Sequence, residues 1–292
     1  MANLKEVRVR IASIKSTRQI TSAMKMVSAS KLRKGQNAIL NLRPYEEQLR
    51  LTLDKINQTL KPEEKNVLCL QKPVKSALVI VVAANKGLCG TFNSNLLKAS
   101  VNHLRKLKDE GYEIKLWLIG KKAEEFFVRS NFTILETHHD IIDHINFESA
   151  FKLARKAMKL IEDDAFQKID VVYNQFKNPA VYKLITEQFL PIHIPDAPES
   201  ELSEDDFGYI MEPSRKELLD ELIPKVIQTY MYRLLLDSFA SEQGARMSAM
   251  HKATDNATEL LKNLTITYNK VRQANITNEI VEIVGGAEAL NR

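Results

Sequence analysis

Lys86-Gly-Leu-Cys-Gly90 lies between a β-branched apolar run and an amphipathic stretch, where a phosphate-binding turn would fall. Its Gly87-x-x-Gly90 spacing departs from G-x-G-x-x-G, and no G-x-x-x-x-G-K-[ST] occurs in the chain. The Lys86 ammonium could neutralise a phosphate. The competing reading is a tight strand-to-helix turn that uses glycine backbone freedom. His138-His-Asp-Ile-Ile-Asp-His144 gathers three imidazoles and two carboxylates. On a helix His139/Asp143 and Asp140/His144 would be i,i+4 pairs, a spacing that can chelate zinc. No second ligand cluster accompanies them, and the segment reads more simply as a surface link from strand to helix. Cys69 and Cys89 lie beside leucines, His103, His193 and His251 are scattered, and neither G-x-S-x-G nor H-E-x-x-H is present. The residues support no nucleophile, base, metal or cofactor. Arg8, Arg10, Lys15, Arg18, Lys25, Lys31, Arg33 and Lys34 could track a phosphate backbone. Against a nucleic-acid partner, no aromatic residue for stacking precedes Tyr45 and no nucleic-acid motif occurs.

The composition limits what could position such groups. The 292 residues are 44% hydrophobic and 27% charged, as in a chain that folds, and no run of 18 apolar residues offers a spanning helix. The opening Met1-Ala-Asn-Leu-Lys-Glu lacks the apolar core of a secretory signal, and no Arg/Ser-rich transit segment precedes the first helical pattern. Two cysteines cannot build a disulfide framework, so a reducing compartment is expected. With nine glycines and nine prolines, turns are too few for an all-β fold. Charge is segregated. Residues 1–50 carry 11 Lys/Arg against Glu6, Glu46 and Glu47 (11 − 3, a local +8), whereas residues 196–221 carry ten acids against Arg215 and Lys216 (2 − 10, a local −8). Such segregation favours partners of unlike charge.

Long helices are expected at both ends. Leu4, Val7, Ile11 and Ile14 recur at spacings of three and four. The same register then lands on Arg18, Thr21, Lys25 and Ser28, and the apolar positions slip to Ile20, Met24 and Val27 among small residues such as Ser22, Ala23 and Ala29. After Pro224, Met250, Ala253, Ala257, Leu260, Leu264, Thr267, Val271 and Ala274 repeat the alternation. Two such helices bury their seams most economically on each other, as an antiparallel coiled coil. Between them Ala77–Ala84 reads as a strand covered on both faces. Strand and helix then alternate through Glu113–Ile119, Lys121–Arg129, Phe132–Thr137, Phe147–Asp163 and Ile169–Phe176, with strand content from Val181 to Pro191, which argues a parallel α/β sheet. The fold class is therefore α/β: a long antiparallel coiled coil of N- and C-terminal helices (1–60 and 211–292) plus a central Rossmann-like domain (74–210).

Both ends also carry a resemblance. Ile276-Thr-Asn-Glu-Ile-Val-Glu-Ile-Val-Gly-Gly-Ala-Glu-Ala289 resembles the signature of the γ subunit of F-type ATP synthases. Ser241–Met247, Ala253–Ala257 and Tyr268–Ala274 are similar to that family, as are Arg10–Ile14, Thr21–Lys31, Arg43-Pro-Tyr45 and the Lys86–Gly90 turn. Gly244 departs from it, where alanine is commoner, and is expected to loosen its helix locally. The resemblance implies a non-catalytic central-stalk rotor. Its partners would be the α and β subunits of an α3β3 ring, the ε subunit and the membrane c-ring, with membrane association only through the complex. The place implied is the cytoplasmic face of a bacterial inner membrane. It further implies that Met24 and Lys25 lie near an acidic segment of β, and that Arg272, Gln273, Thr277 and Glu279 meet a β loop. Glu242 and Arg246 would lie lower on the shaft and interact with those residues or with the ring. The tip from Ile280 to Ala287 would rest in an apolar bearing, and Tyr209 and Glu212 would face the c-ring. Two alternatives from the residues alone are a nucleotide-binding α/β enzyme with helical extensions and a coiled-coil nucleic-acid binder.

Overall fold

The computed structural model describes residues 4–57, 66–192 and 214–290. The chain divides into two compact units, residues 1–28 with 246–292 and residues 29–245. The first and last helices, α1 (Leu4–Asn57, 54 residues) and α6 (Arg215–Leu290, 76 residues), contribute to both.

In the larger unit, β1 (Ser76–Val82), β2 (Glu113–Ile119), β3 (Thr133–His138), β4 (Lys168–Asn178) and β5 (Val181–Leu190) form one sheet in the order β3-β2-β1-β4-β5. Ile80 sits at its centre, paired with Trp117 on one side and Val171 on the other. Helices α2 (Phe92–Asp109) and α3 (Lys121–Phe127) cover one face, where Val79, Val81 and Leu118 meet Leu96, Leu104 and Phe127. Helix α5 (Phe147–Glu162) and segments of α1 and α6 cover the other, where Leu78, Ile80 and Tyr173 meet Leu153, Ile223 and Leu53. A strand buried on both faces needs apolar side chains on both, hence the unbroken run in β1.

The sheet is not wholly parallel. β5 runs antiparallel to β4, and the rest pair in parallel. Only Pro179 and Ala180 separate the two strands, a hairpin connection, whereas a parallel crossover needs a dozen residues or more. Asn178 Oδ1 fixes that turn by accepting from the N–H groups of Ala180 and Val181.

Helix α6 begins well before Pro224. Ser214 caps its first turn: the Ser214 hydroxyl accepts from the Glu217 N–H and donates to Glu217 Oε1. Pro224 removes one helical hydrogen bond. Burial of the adjoining Leu219, Ile223 and Ile227 against the sheet holds the helix through it. Gly244 is likewise not a point of looseness. A Cβ there would stand 2.8 Å from the Pro179 carbonyl oxygen, so glycine is what lets the β4–β5 turn rest on the helix backbone. Ser241, one turn earlier, donates its hydroxyl to the Asn174 carbonyl and ties the same helix to β4.

Candidate functional site: the surface of the terminal helix pair

In the smaller unit, residues 4–28 of α1 pair with residues 250–271 of α6. Arg8 donates to the Tyr268 hydroxyl at 2.9 Å, the Thr21 and Thr254 hydroxyls meet at 2.9 Å, and Lys25 Nζ lies 3.3 Å from His251 Nδ1. As the number on α1 rises its partner's falls, so the pair is antiparallel. The covered positions on α1 keep one 3,4 alternation throughout: Leu4, Val7, Ile11, Ile14, Arg18, Thr21, Lys25 and Ser28 are all buried or half-buried. Of the positions expected to take over the seam, Ile20, Met24 and Val27, only Met24 is half-buried, beside Lys25. Ile20 and Val27 are 60% and 57% exposed. The seam remains in register with polar residues because their hydroxyls and ammonium find partners across it. On α6 the covered positions are Met250, Ala253, Thr254, Ala257, Leu261, Leu264, Tyr268 and Val271, whereas the expected Leu260, Thr267 and Ala274 are exposed. Tyr268 takes the seam because its ring and hydroxyl both engage Arg8.

The outward surface is therefore uneven. Val9, Ile20, Met26 and Val27 of α1 and Leu260 and Ile266 of α6 stand exposed among basic residues. Ser22, Ala23 and Met26 line a shallow groove with Thr254 and Thr258. From Arg272 to Ala287 every residue is exposed, and Ile276, Ile280, Val281, Ile283 and Val284 form an uncovered apolar stripe at helical spacing.

The site residues inferred from the sequence fall into distinct settings. Met24 and Lys25 are half-buried near the groove, and His251 Nδ1 also lies 3.4 Å from Asp255, so that one nitrogen serves either the ammonium or the carboxylate. Arg272, Gln273, Thr277 and Glu279 are exposed on one helical stretch, with the Thr277 hydroxyl donating to the Gln273 carbonyl. Glu242 and Arg246 are 5% and 7% exposed and so are engaged within the chain. Arg246 is 26 residues from Arg272 along α6, about 39 Å at 1.5 Å per residue, so the structure does not bring those two together. Tyr209, Glu212 and the acidic stretch 196–206 lie outside the described residues.

The larger unit also holds a half-buried polar layer with no counterpart in the sequence pattern. Arg233 of α6 pairs with Glu46 of α1 at 2.7 Å and lies over the Tyr230 ring at 4.7 Å. The Tyr173 hydroxyl donates to Glu187 at 2.8 Å. Burial pushes both tyrosine phenols well above their ordinary value, reinforced by Glu187. Burial also raises the Glu46 carboxyl against the pull of Arg233. These groups lie far apart in sequence on four elements, and no local pattern announces them.

The segments that suggested chemistry are occupied by their own chain. In the Lys86–Gly90 turn, Gly90 and the exposed Leu88 hold the left-handed conformation (φ 61° and 60°), while Gly87 does not. The expected need for glycine freedom thus applies to Gly90 alone. Asn93 accepts from the Ala84 N–H and donates to Cys89 Sγ, and Asn85 ties the turn to Lys121, His139 and Asp143. Helix α4 covers only Asp140–Asp143, so the i,i+4 pairs imagined across His139–His144 do not form. His138 instead pairs with Glu136, and His139 with Glu124, each at 2.9 Å. Among the described residues no three His, Cys, Asp or Glu side chains converge to hold a metal, and no helix is long and apolar enough to cross a membrane.

Comparison with known proteins extends along the whole chain. A family profile described as ATP synthase matches residues 3–290. The ATP synthase gamma chain of Christiangramia forsetii is 48% identical over 291 residues, covering 100% of both chains. That of Flavobacterium johnsoniae is 49% identical over 292 residues, again covering 100% of both. Among solved structures, a chain of the Euglena gracilis mitochondrial ATP synthase (OSCP/F1/c-ring, rotational state 3) is similar with a TM-score of 0.67 and 21% identity, covering 98% of this chain and 94% of that one. Sharing their full length, and nearly half their residues, with such relatives, the chain belongs to the ATP synthase gamma-chain family.

Proposed function

We propose that this chain is the non-catalytic central-stalk rotor of an F-type ATP synthase, coupling ion flow through a membrane c-ring to ATP synthesis or hydrolysis in an α3β3 ring. The observation that carries the proposal is full-length identity of 48–49% with ATP synthase gamma chains. The terminal helix pair suits the role physically. Small residues and hydroxyls at Ser22, Ala23 and Thr258 leave few deep knobs for a surrounding sleeve to grip. The apolar positions at Ile20, Met26 and Val27 and the exposed charges make the faces unlike. A rotor with unlike faces offers each catalytic subunit a different surface at a given angle, and so favours a different conformation in each through differential contact.

In this reading residues 1–60 and 211–292 supply the part that turns within the ring, and residues 74–210 supply the part that meets ε and the c-ring. Met24 and Lys25 face an acidic segment of β. Arg272, Gln273, Thr277 and Glu279 meet a β loop, and the apolar stripe from Ile280 to Ala287 seats in a bearing. Glu242 and Arg246, being buried, act by holding the helices rather than by direct contact. Tyr209 and Glu212 face the c-ring. The assembly sits on the cytoplasmic face of a bacterial inner membrane, and the chain is held there by its neighbours.

Co-expression with α and β tests the proposal. One copy of the chain should purify with three of each, the isolated chain should hydrolyse no ATP, and Arg272→Glu should lower coupled turnover while nucleotide affinity of the ring is unchanged. ATP hydrolysis by the isolated chain, or lost nucleotide affinity on changing Lys86 or Gly87, would overturn it in favour of a nucleotide-binding enzyme.

A further inference from the structure

A cavity of about 350 Å³ opens between α1, β4 and α6, bounded by Arg43, Glu46, Phe176, Lys177, Arg233 and Asp237. Three cations face two carboxylates there, but the carboxylates do not balance them. Glu46 is taken by Arg233 at 2.7 Å. Asp237 is only 4% exposed, and burial pushes its carboxyl up to about 7 despite the pull of Arg233 and Arg43. Near neutral pH it is therefore neutral about half the time. Arg43 acts on both carboxylates through space, yet neither Arg43 nor Lys177 closes an ion pair among the described residues. The Arg233 Nε–H is buried with no acceptor among them. The wall thus presents surplus positive charge and an unsatisfied donor to a polar cleft that is open to solvent on the side of Arg43 and Lys177.

We infer that this cavity is a binding site for a small tetrahedral oxyanion of the phosphate class. Such an ion offers several acceptor oxygens to guanidinium and ammonium donors at once, and charge-assisted hydrogen bonds of this kind are the strong ones. A cationic ligand would meet the same surplus as repulsion. The volume stands at the low end of small-molecule sites, which suits an inorganic oxyanion or a small phosphorylated metabolite. The site shares no residue with the contact positions proposed above.

Binding is linked to protons. The groups that face Asp237 are Arg43 and Glu46 from α1, the Phe176 N–H, Lys177 and Tyr173 from β4, and Arg233 from α6. An anion entering among them favours the protonated carboxyl, which then donates to it, so binding takes up a proton wherever Asp237 would otherwise be ionised. For sulfate, which does not titrate in this range, the fraction of protonated Asp237 sets the apparent affinity. With that group titrating at about 7, affinity should be about tenfold higher at pH 6 than at pH 8.

The test is isothermal titration of the full chain with sulfate, inorganic phosphate and acetate, at ionic strength held constant with chloride. Saturable one-to-one binding of sulfate and phosphate is expected, with sulfate about tenfold tighter at pH 6. Lys177→Gln should weaken it at least several-fold and Arg43→Gln/Lys177→Gln at least tenfold, while Asp237→Asn should keep binding and lose the pH dependence. Lys177 is exposed, so its substitution reads the site even where the Arg43 change disturbs folding. No saturable binding at millimolar sulfate and phosphate, or binding indifferent to Lys177→Gln, would overturn the site. Equal affinity for acetate would overturn the tetrahedral-oxyanion class.

Discussion

Replacing Gly244 by alanine gives opposite results for two readings of the same helix. In a helix interior, alanine is favoured over glycine by about 0.8–1.0 kcal/mol, so a glycine that merely loosened α6 should be improved by the change. The structure argues the other sign. The new Cβ would stand 2.8 Å from the Pro179 carbonyl oxygen and 3.5 Å from its carbon, and both are backbone atoms that no rotamer change can move. Pro179 cannot retreat freely, because Asn178 Oδ1 pins the turn through two hydrogen bonds and β4 and β5 pair on either side of it. Forcing a methyl group into such a contact costs about 1–3 kcal/mol. Set against the propensity gain, the net expectation is about 1 kcal/mol of destabilisation, or a midpoint about 2–4 °C lower for a unit of this size. Gly285, on the same helix, supplies the control: no atom lies within 4 Å of its Cβ position. Gly285→Ala should therefore raise helical content in circular dichroism without lowering the midpoint. A rise in the thermal midpoint of Gly244→Ala by the same few degrees would refute the close-approach argument.

Other predictions follow from the seam, the buried carboxyl and the exposed helix end. Ile20→Ala and Val27→Ala should each change stability of the chain by less than about 0.5 kcal/mol, as surface substitutions do, whereas in a slipped register each would cost more than 1 kcal/mol; chemical denaturation decides between them. Asp237 holds its proton to about pH 7 in the fold but only to about 4 when unfolded. The folded state therefore binds more protons between those values, and stability falls as pH rises through that window, then levels off. The shift of roughly three units corresponds to at most about 4 kcal/mol. Denaturation of Asp237→Asn against pH should show that slope removed, with the variant gaining on the parent chain as pH rises; parallel curves would refute the assignment. Ile283→Glu, on the uncovered stripe, should leave the melting of the isolated chain unchanged and lower its yield in complex with α and β.

How much of this could be read from the sequence depends on what each element buries. β1 was legible because burial on both faces demands an unbroken apolar run, and α5 because its amphipathic spacing fits one covered face. The α1 seam was legible only to Ile14. Beyond it the covered positions are Arg18, Thr21, Lys25 and Ser28, and a pattern defined by apolarity has no means of following hydroxyls that meet their partners across a helix pair. On α6 the same limit chose Leu260 and Thr267 over Leu261 and Tyr268. One signal was present and unused: only residues 177–180 separate the last two strand patterns, too few for a parallel crossover. The Glu46, Arg233 and Asp237 group carries no such signal, since its members are joined only by the packing of α1, β4 and α6. Nor does a glycine reveal in sequence whether it serves flexibility or close contact, and at Gly244 only the position of the Pro179 carbonyl decides.

A central-stalk rotor turns within its ring of catalytic subunits, and that motion can be watched directly. Lys108, exposed at the end of α2, can be changed to cysteine in a Cys69→Ser background, Cys89 being buried, and used to tether a bead to the chain in a surface-anchored α3β3 assembly. On adding ATP the bead should rotate in one direction, and a crosslink from position 272 to β should stop both rotation and hydrolysis. A bead that stays fixed relative to the ring while ATP is hydrolysed at the full rate would contradict the account.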